Sequence, residues 1–447
     1  MKTKINLVKQ IKVAFLTITF AVPIAFIAHA QSSDALLDKL VQKGILSVKE
    51  ANELKEESDK DFKNAFAAKT GLADWVNSFR ITGDIRGRYE GFYGDNPNFI
   101  ERNRFRYRAR IAFIASMLNN FEAGLRLTSG EPVGGFGGDP ISGNSSFRDN
   151  ASKKFLYVDL AYFKWNAINS GDWKLETTVG KMENPFVYSD MVFDGDYTPE
   201  GFGLKLSYSP FAKHKLTLIG GIFTLDELGS STRDPLLAGI QLRWDANWAT
   251  KISSSVGVGF LSINNDDKLT SADVPDVNRG NYYTGTRSRY GFNPVVADAS
   301  LTYMLDKFPL YSGPFPIKVS GEYMNNPAAV GDNYGWSTGI TFGKAGKKNS
   351  WELGYNYKYL GANAWWEELV DSDFGAYYAG ISPSNPAGSG YYSGTNVKGH
   401  IVRLVYSPTD FVTLGAKVFF TDLIDEPTVA NRDSGIVRMQ VDMSLKF

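Results

Sequence analysis

Five arginines occupy every second position of one short stretch of the chain: Arg102, Arg104, Arg106, Arg108 and Arg110. Side chains alternate between the two faces of a β-strand, so this spacing places all five guanidinium groups on one face of a predicted strand. The other face carries Phe105, Tyr107, Ala109, Ile111 and Phe113. A wall of guanidinium groups attracts anions, which makes this arginine ladder the first candidate for binding chemistry.

The arginine face must contact water. Neighbouring side chains on one strand face lie about 7 Å apart, where two like charges repel by about 12 kcal/mol at the illustrative upper bound for a dry interior. Each arginine would cost roughly 2 to 4 kcal/mol if it faced lipid at the bilayer midplane. The ladder therefore has water on one side and apolar surroundings on the other. Both a half-exposed soluble sheet and the wall of a water-filled membrane barrel satisfy this requirement.

The flanking strands extend the charged face. Read with the same period, the inward face of the first three strands carries nine arginines against the acids Asp84, Glu90 and Glu122. This excess predicts a lumen that prefers anions. The predicted pore-lining residues are Arg80, Arg86, Arg88, Arg102, Arg104, Arg106, Arg108, Arg110 and Arg126.

An alternative reading of the ladder stays open, in which several arginines only pair with acids of a loop folded into the lumen. The sequence does not select that loop. The candidate constriction-loop acids are Glu131, Asp139, Asp190, Asp194, Asp196 and Glu200.

Residues 79–447 show period two almost without interruption, and the pattern predicts sixteen strands, with fourteen or eighteen as alternatives. Short turns alternate with long loops, which is typical of outer-membrane barrels. We therefore predict an all-β fold, a transmembrane antiparallel β-barrel with evenly polar inward faces. Two details do not fit this phasing. The turn near 306–316 is too long, and Trp165 falls on the inward face when Leu156, Val158, Leu160 and Tyr162 are placed outward.

The chain ends indicate export. Residues 1–30 have the basic start, apolar centre and small residues of a signal peptide cleaved after Ala30. Residues 31–78 are predicted to form a periplasmic helical hairpin and linker, either a spacer or a contact for oligomerisation or the cell wall. The final strand ends on Phe447. It resembles bacterial outer-membrane barrels, whose terminus is read by the barrel assembly machinery, and this places the chain in the cell outer membrane.

Composition excludes several function classes. The 48 basic and 48 acidic residues give no net charge, so no nucleic-acid partner is expected, and the absence of cysteine excludes thiol catalysis and cysteine-based zinc sites. The carboxylates of Asp194, Asp196 and Glu200 do not match the EF-hand spacing and are interpreted as a solvated loop. Neither His214 nor His400 accompanies a nucleophile motif. We therefore expect no metal, no cofactor and no enzymatic activity.

One segment carries a family resemblance. Residues 180–186 read Gly-Lys-Met-Glu-Asn-Pro-Phe and are followed by Asp194, Asp196 and Pro199-Glu200-Gly201. With the arginine-rich second strand and the N-terminal hairpin, this pattern resembles the putative porin family of Gram-negative bacteria. The resemblance implies a passive outer-membrane channel embedded in lipid and, by analogy, a homotrimer. It assigns no solute ligand.

The sequence thus predicts an outer-membrane porin for passive diffusion of small hydrophilic solutes, with a preference for anions. A barrel that serves as an adhesin or structural anchor is the first alternative, and a barrel hydrolase is the second.

Overall fold

The computed structural model describes residues 50, 54, 73–95, 99, 101–133, 137–211, 213–269, 280–284, 287–375, 394–425 and 434–447. The chain divides into two units, 1–74 and 75–447. The predicted signal peptide lies outside the described residues. So does the predicted helical hairpin, apart from the α-helical Glu50 and Leu54. No helix in the described part of the chain has the length and hydropathy needed to span a membrane.

The second unit is an antiparallel sheet closed on itself. Its long strands are β1 (Val76–Gly94), β2 (Arg102–Met117), β3 (Phe121–Gly130), β5 (Phe155–Ser170), β6 (Trp173–Lys181), β7 (Glu200–Phe211), β8 (His214–Thr224), β9 (Leu236–Ala249), β10 (Ile252–Asn264), β13 (Val295–Leu305), β14 (Phe315–Asn325), β15 (Tyr334–Gly343), β16 (Ser350–Leu360), β17 (Val397–Ser407), β18 (Val412–Leu423) and β19 (Ile436–Lys446). Three two-residue strands are β4 (Ser145–Ser146), β11 (Tyr283–Thr284) and β12 (Arg287–Ser288), and 3₁₀ turns span Leu118–Asn120 and Asp266–Lys268.

The long strands form a ring because β1 pairs with both β2 and β19. Closure leaves no unpaired sheet edge, which is the condition for a sheet in lipid. The predicted sixteen-strand antiparallel barrel is confirmed. β1 begins at Val76, three residues before the predicted start of the barrel.

Burial in this barrel is the reverse of that in a soluble sheet. Outward-facing Ile85 and Phe105 are 51% and 59% exposed, whereas inward-facing Arg88 and Arg106 are 6% and 7% exposed. Apolar side chains therefore cover the outside, and charged side chains are enclosed. This is the arrangement of a barrel whose outer surface contacts hydrocarbon.

A β-bulge interrupts the alternation in β5. Leu127 pairs with Val158, but the preceding Arg126 pairs with Leu160, so Asp159 is an extra residue without a direct partner. One extra residue shifts the side-chain alternation, and every later position of β5 changes face.

The bulge accounts for Trp165. Trp165 points outward and stacks on Phe121, with ring centroids 5.4 Å apart. The outward placement of Leu160 and Tyr162 was wrong: Leu160 is buried, and the Tyr162 hydroxyl donates to inward-facing Glu122 at 2.9 Å.

The connections alternate in length as predicted, and the long turn at 306–314 has its own packing. The rings of Phe308 and Phe315 stack with centroids 4.1 Å apart, and the Trp351 indole donates to the Leu310 carbonyl at 2.9 Å. Aromatic contacts at the short-turn end of the barrel therefore hold this turn.

The inward faces are not evenly polar, which corrects the prediction. Phe223, Leu261, Met324 and Phe419 point inward near the long-loop end and belong to one buried cluster with Trp365. Inward apolar side chains occur there because loops fold into the lumen and pack on them. The predicted polar lining applies to the middle and the short-turn end.

We predict that deleting Asp159 lowers the free energy of unfolding by at least about 2 kcal/mol, because removing the bulge turns large apolar side chains away from lipid. The measurement is denaturant unfolding of the refolded barrel in lipid, followed by tryptophan fluorescence. Asp159→Ala, which keeps the bulge, should cost less, and deletion of exposed Lys153 should cost little. Equal stability of the two deletion variants would contradict the register.

Candidate channel lumen and its charged constriction

One long loop crosses the lumen. The crossing loop, residues 182–199, leaves β6, contacts three strands in turn, reaches β2 and returns as β7. β14 and β2 lie on roughly opposite sides of the strand ring, so the loop spans the barrel. Along this path the Val187 and Ser189 amides donate to the side chains of Gln241 in β9 and Glu322 in β14. Asp190 then pairs with Lys358 of β16, and Asp196 pairs with Arg108 of β2.

A second loop holds the crossing loop in place. The clasp loop, residues 361–375, follows β16, and its Leu369 carbonyl accepts from the Asp194 amide at 2.7 Å. The Asp371 amide donates to the Asp190 carbonyl at 2.9 Å. The fully buried Trp365 donates to the Val192 carbonyl at 2.9 Å. The two loops thus form one packed body inside the barrel.

Arginines of the ladder on β2 lie directly opposite arginines of β1. In the β1–β2 register, Arg86 lies opposite Arg108, and Arg88 lies opposite Arg106. Like charges directly opposite each other destabilise a sheet, so each pair requires carboxylates nearby.

Glu90 is the main buried carboxylate of the ladder. It is fully buried and accepts from Arg104 at 2.6 Å, Arg438 at 2.5 Å and Gln440 at 2.9 Å. Arg106 lies 3.7 Å away. One carboxylate from β1 thus joins cations of β2 and β19.

The remaining arginines of β1 and β2 use acids of both strands and loops. Arg88 binds Asp442 at 2.8 and 2.9 Å and Asp373 of the clasp loop at 3.3 Å. Arg108 binds Asp84 at 3.0 Å and Asp196 of the crossing loop at 2.7 Å.

The outer members of the predicted pore-lining set have varied surroundings. Arg110 binds Asp84 at 2.7 Å, and Arg80 lies 3.7 Å from Glu122. Arg126 pairs with Asp159 and Glu183. Arg102 is exposed at the long-loop end of β2, and Arg86 donates to the Asn144 amide oxygen at 2.7 Å.

Only one of the six candidate loop acids, Asp196, pairs with the ladder. Asp190 pairs with Lys358 at 2.6 Å, on a different wall. Asp194 is buried between the two loops, so its interpretation as part of a solvated loop was wrong. The others bind locally: Glu131 accepts from the Ser146 amide at 2.6 Å, Asp139 from the Ile141 amide at 3.1 Å, and Glu200 pairs with Lys181 at 3.0 Å.

Sequence reasoning missed the clasp loop and its acids. Its sequence, Ala-Trp-Trp-Glu-Glu-Leu-Val, is unusually apolar for an exposed loop, and this signal could have indicated burial. Asp373 and Asp442 lie far from the ladder in sequence, and nothing local shows that they reach Arg88.

Several carboxylate groups lie close together where the crossing loop contacts the clasp loop. Burial, reinforced by the neighbouring Asp371 and Asp196 carboxylates, raises the pKa of Asp194 well above its ordinary value. Burial also raises the pKa of Asp371, together with the nearby Asp190. Burial opposes ionisation of Asp190 as well, but the Lys358 ammonium group holds its pKa below the ordinary value.

The loops divide the lumen into cavities. One, of about 430 Å³, includes Lys205, Lys215 and Lys318 in its lining. A second, of about 350 Å³, includes Arg86 and Lys417. A third, of about 410 Å³, is lined in part by Arg110, Asp139 and Glu200.

The two histidines of the barrel lie among outward-facing aromatic residues. His214 stacks with Trp244 at 6.0 Å, and His400 shares a hydrogen bond with the Tyr355 hydroxyl at 2.8 Å. Among the described residues, no group of three or more His, Asp or Glu side chains could hold a metal ion.

A closed sixteen-strand barrel with an apolar outside and a charged, loop-narrowed inside has the architecture of a porin-type channel. Residues 96–272 match the family model described as "putative porin", which confirms the resemblance predicted from the sequence. No curated protein sequence matches the chain.

Two solved structures are similar to this chain. Pseudomonas putida OprB, in its high-pH structure, is 9% identical, covers 86% of this chain and 97% of its own, and has a TM-score of 0.50. Salmonella typhi OmpF, in a complex with daunomycin, is 10% identical over 83% of this chain and 97% of its own, with a TM-score of 0.47. The family match and the fold support an outer-membrane channel.

We predict that Glu90→Gln lowers the free energy of unfolding by about 3 to 5 kcal/mol, because buried arginines lose their shared carboxylate. The matched control is Glu352→Gln, whose partner Arg403 is half-exposed and whose loss should cost less than about 1 kcal/mol. Denaturant unfolding of both variants in lipid gives the comparison. A similar cost for the two would show that Glu90 does not organise the ladder.

A second prediction concerns pH. Because the folded pKa of Asp194 lies above its unfolded value, protonation favours the folded state, and stability rises as the pH falls through the folded pKa. Thermal midpoints between about pH 8 and pH 5 should therefore rise more for the wild type than for Asp194→Asn. One titrating group contributes at most about 1.4 kcal/mol per pH unit. Exposed Asp149→Asn is the control, and an unchanged slope in Asp194→Asn would refute the assignment.

Proposed function

We propose that this protein is an outer-membrane channel for passive diffusion of small hydrophilic solutes and that it prefers anions. The observation that carries the preference is a set of lumen-lining cations that make no ion pair. Among the described residues, none of the following has a carboxylate oxygen within 4 Å: Arg86, Lys205, Lys215, Lys318 and Lys417.

The five unpaired cations lie in two cavities beside the crossing loop. Lys205 and Lys215 belong to neighbouring strands, β7 and β8, and Lys318 projects from β14 into the same cavity. Charges in a water-filled cavity with low-dielectric walls raise the local concentration of counter-ions. These residues, rather than the whole ladder, supply the proposed anion preference.

The ladder itself has a different proposed role. Most of its guanidinium groups are neutralised by strand and loop acids, so its net attraction for a passing anion is small. Its paired charges still create a polar surface across which hydrophilic solutes pass. We keep the nine arginines as proposed pore-lining residues and place Arg86 among the unpaired cations.

Transport in this proposal involves selection by width and charge, without a chemical step. The cavities beside the crossing loop, of about 350 and 430 Å³, have room for small solutes. Removal of a signal peptide, insertion by the barrel assembly machinery, the helical hairpin and a homotrimer stay predictions from the sequence and the family resemblance.

The adhesin or structural-anchor hypothesis has one observation in its favour. The buried cluster at the long-loop end, which includes Trp365 and Phe374, fills part of the lumen. A bilayer conductance measurement distinguishes a narrowed channel from a barrel whose lumen is blocked.

We expect purified protein in a planar bilayer to give ohmic steps and an anion-favouring zero-current potential under a salt gradient. Changing Lys205, Lys215 and Lys318 together to Gln should reduce the anion-to-cation permeability ratio up to about fivefold, since a contact between unit charges is worth about 1 kcal/mol in water. The matched control changes Lys344, Lys347 and Lys348 of the β15–β16 turn to Gln.

Cation preference in the wild type would contradict the proposed anion preference but would still agree with a channel. Absence of conductance from a folded, inserted barrel would contradict the channel and favour the anchor hypothesis.

A further inference from the structure

We propose that Arg86 and Arg108 form a binding subsite for a small hydrophilic monocarboxylate within the cavity of about 350 Å³. This inference rests on the proposed function, because the ligand would be a solute in transit. It adds a defined site and a chemical class of ligand.

The first observation is an uncompensated charge. Arg86 and Arg108 lie directly opposite each other on β1 and β2 and share the inward face. Arg108 is neutralised by Asp84 and Asp196. Arg86 has only the neutral Asn144 amide, and no described carboxylate lies within 4 Å of it. The pair therefore retains an excess positive charge that an anion would neutralise.

The second observation is a pair of unused donors. The Nε atoms of both Arg86 and Arg108 are buried and have no hydrogen-bond partner among the described residues. Arg108 as a whole is only 8% exposed. Buried polar groups are nearly always hydrogen-bonded, so two unpartnered donors on directly opposed side chains are unusual. The Nε atom of Arg106 is also unpartnered, but only Arg86 and Arg108 line the cavity. Because both Nε atoms are buried, an acceptor that binds between Arg86 and Arg108 reaches them only when the two side chains shift.

The acids around the cavity are already engaged. Asp442 binds Arg88, Asp373 binds Arg438 at 2.7 Å, and Asp371 binds Lys358 at 3.2 Å. Asp194 accepts from the Ser372 and Asp196 amides, each at 2.7 Å. None of these carboxylates makes an ion pair with Arg86, although Asp442 and Asp196 attract it through space. The charged carboxylates around the cavity disfavour an anion that carries several charges.

The shape and lining of the site select the ligand class. The edge of a guanidinium group presents parallel N–H donors that match the two oxygens of a carboxylate. Asn144, Ser372, Gln440 and Gly195 supply a polar lining for the rest of the molecule. A hydrophilic ligand with one carboxylate fits this combination, and the neighbouring acids disfavour di- and tricarboxylates.

Lactate is the probe for the test. We expect it to block the chloride current of wild-type channels with a saturating concentration dependence, and citrate to block less. Arg86→Gln should raise the half-blocking lactate concentration about tenfold or more, the effect of losing a charge-assisted hydrogen bond. Arg86→Lys, which keeps the charge but lacks Nε and the planar donor edge, should also raise it. Arg148→Gln, which removes an exposed loop charge, should leave it unchanged.

The outcomes separate the subsite from the channel. Anion-selective conductance without lactate block would overturn the subsite and leave the proposed function intact. Equal block of Arg86→Lys and wild type would overturn it too, by showing a charge effect only. If the barrel does not conduct, lactate titration calorimetry of the folded wild type and Arg86→Lys decides. Weaker lactate binding to Arg86→Lys than to the wild type would support the subsite. Absence of lactate binding to the wild type would overturn it.

Discussion

The constraint on which the rest of this structure depends is that its arginines cannot face lipid, nor remain close together without counter-charges. Strand alternation meets the first requirement by placing the guanidinium groups inside a closed barrel and the aromatic and aliphatic groups outside. It does not meet the second, because the register places Arg86 against Arg108 and Arg88 against Arg106. The enclosed arginines therefore require carboxylates from elsewhere in the chain, and Glu90 provides the most buried one.

That need connects the barrel wall to its loops. The crossing loop brings Asp196 to Arg108, and the clasp loop brings Asp373 to Arg88 and Arg438. Loops that enter a barrel need apolar partners as well, which explains why large apolar side chains point inward at the long-loop end. The same packing narrows the lumen to small cavities. Charge compensation and constriction are thus two consequences of one arrangement. Arg86 of β1, which lies opposite Arg108 of the ladder, makes no ion pair in this arrangement.

Much of the wall could be predicted from the sequence, because period two is a local property. The face of every ladder arginine and the number of long strands follow from it. Trp165 could not be placed, since a one-residue bulge at Asp159 shifts the alternation and leaves no clear mark in the sequence. The partners of Arg88 could not be found either, because Asp373 and Asp442 reach it only through closure of the ring and entry of a loop. Of the candidate loop acids, only Asp196 pairs with the ladder, because pairing depends on the path of a loop across the lumen.

The claim that β2 has one face toward water and one toward lipid can be tested directly. The chain has no cysteine, so single cysteines can be introduced from Ile111 to Ser116 and spin-labelled in a lipid bilayer. Labels at 111, 113 and 115 should collide preferentially with dissolved oxygen, which concentrates in lipid, and labels at 112, 114 and 116 with a water-soluble nickel chelate. The accessibility of the labels to oxygen and to the nickel chelate should alternate with a period of two residues. Equal accessibility at all six positions, or the reversed phase, would contradict the water-filled barrel.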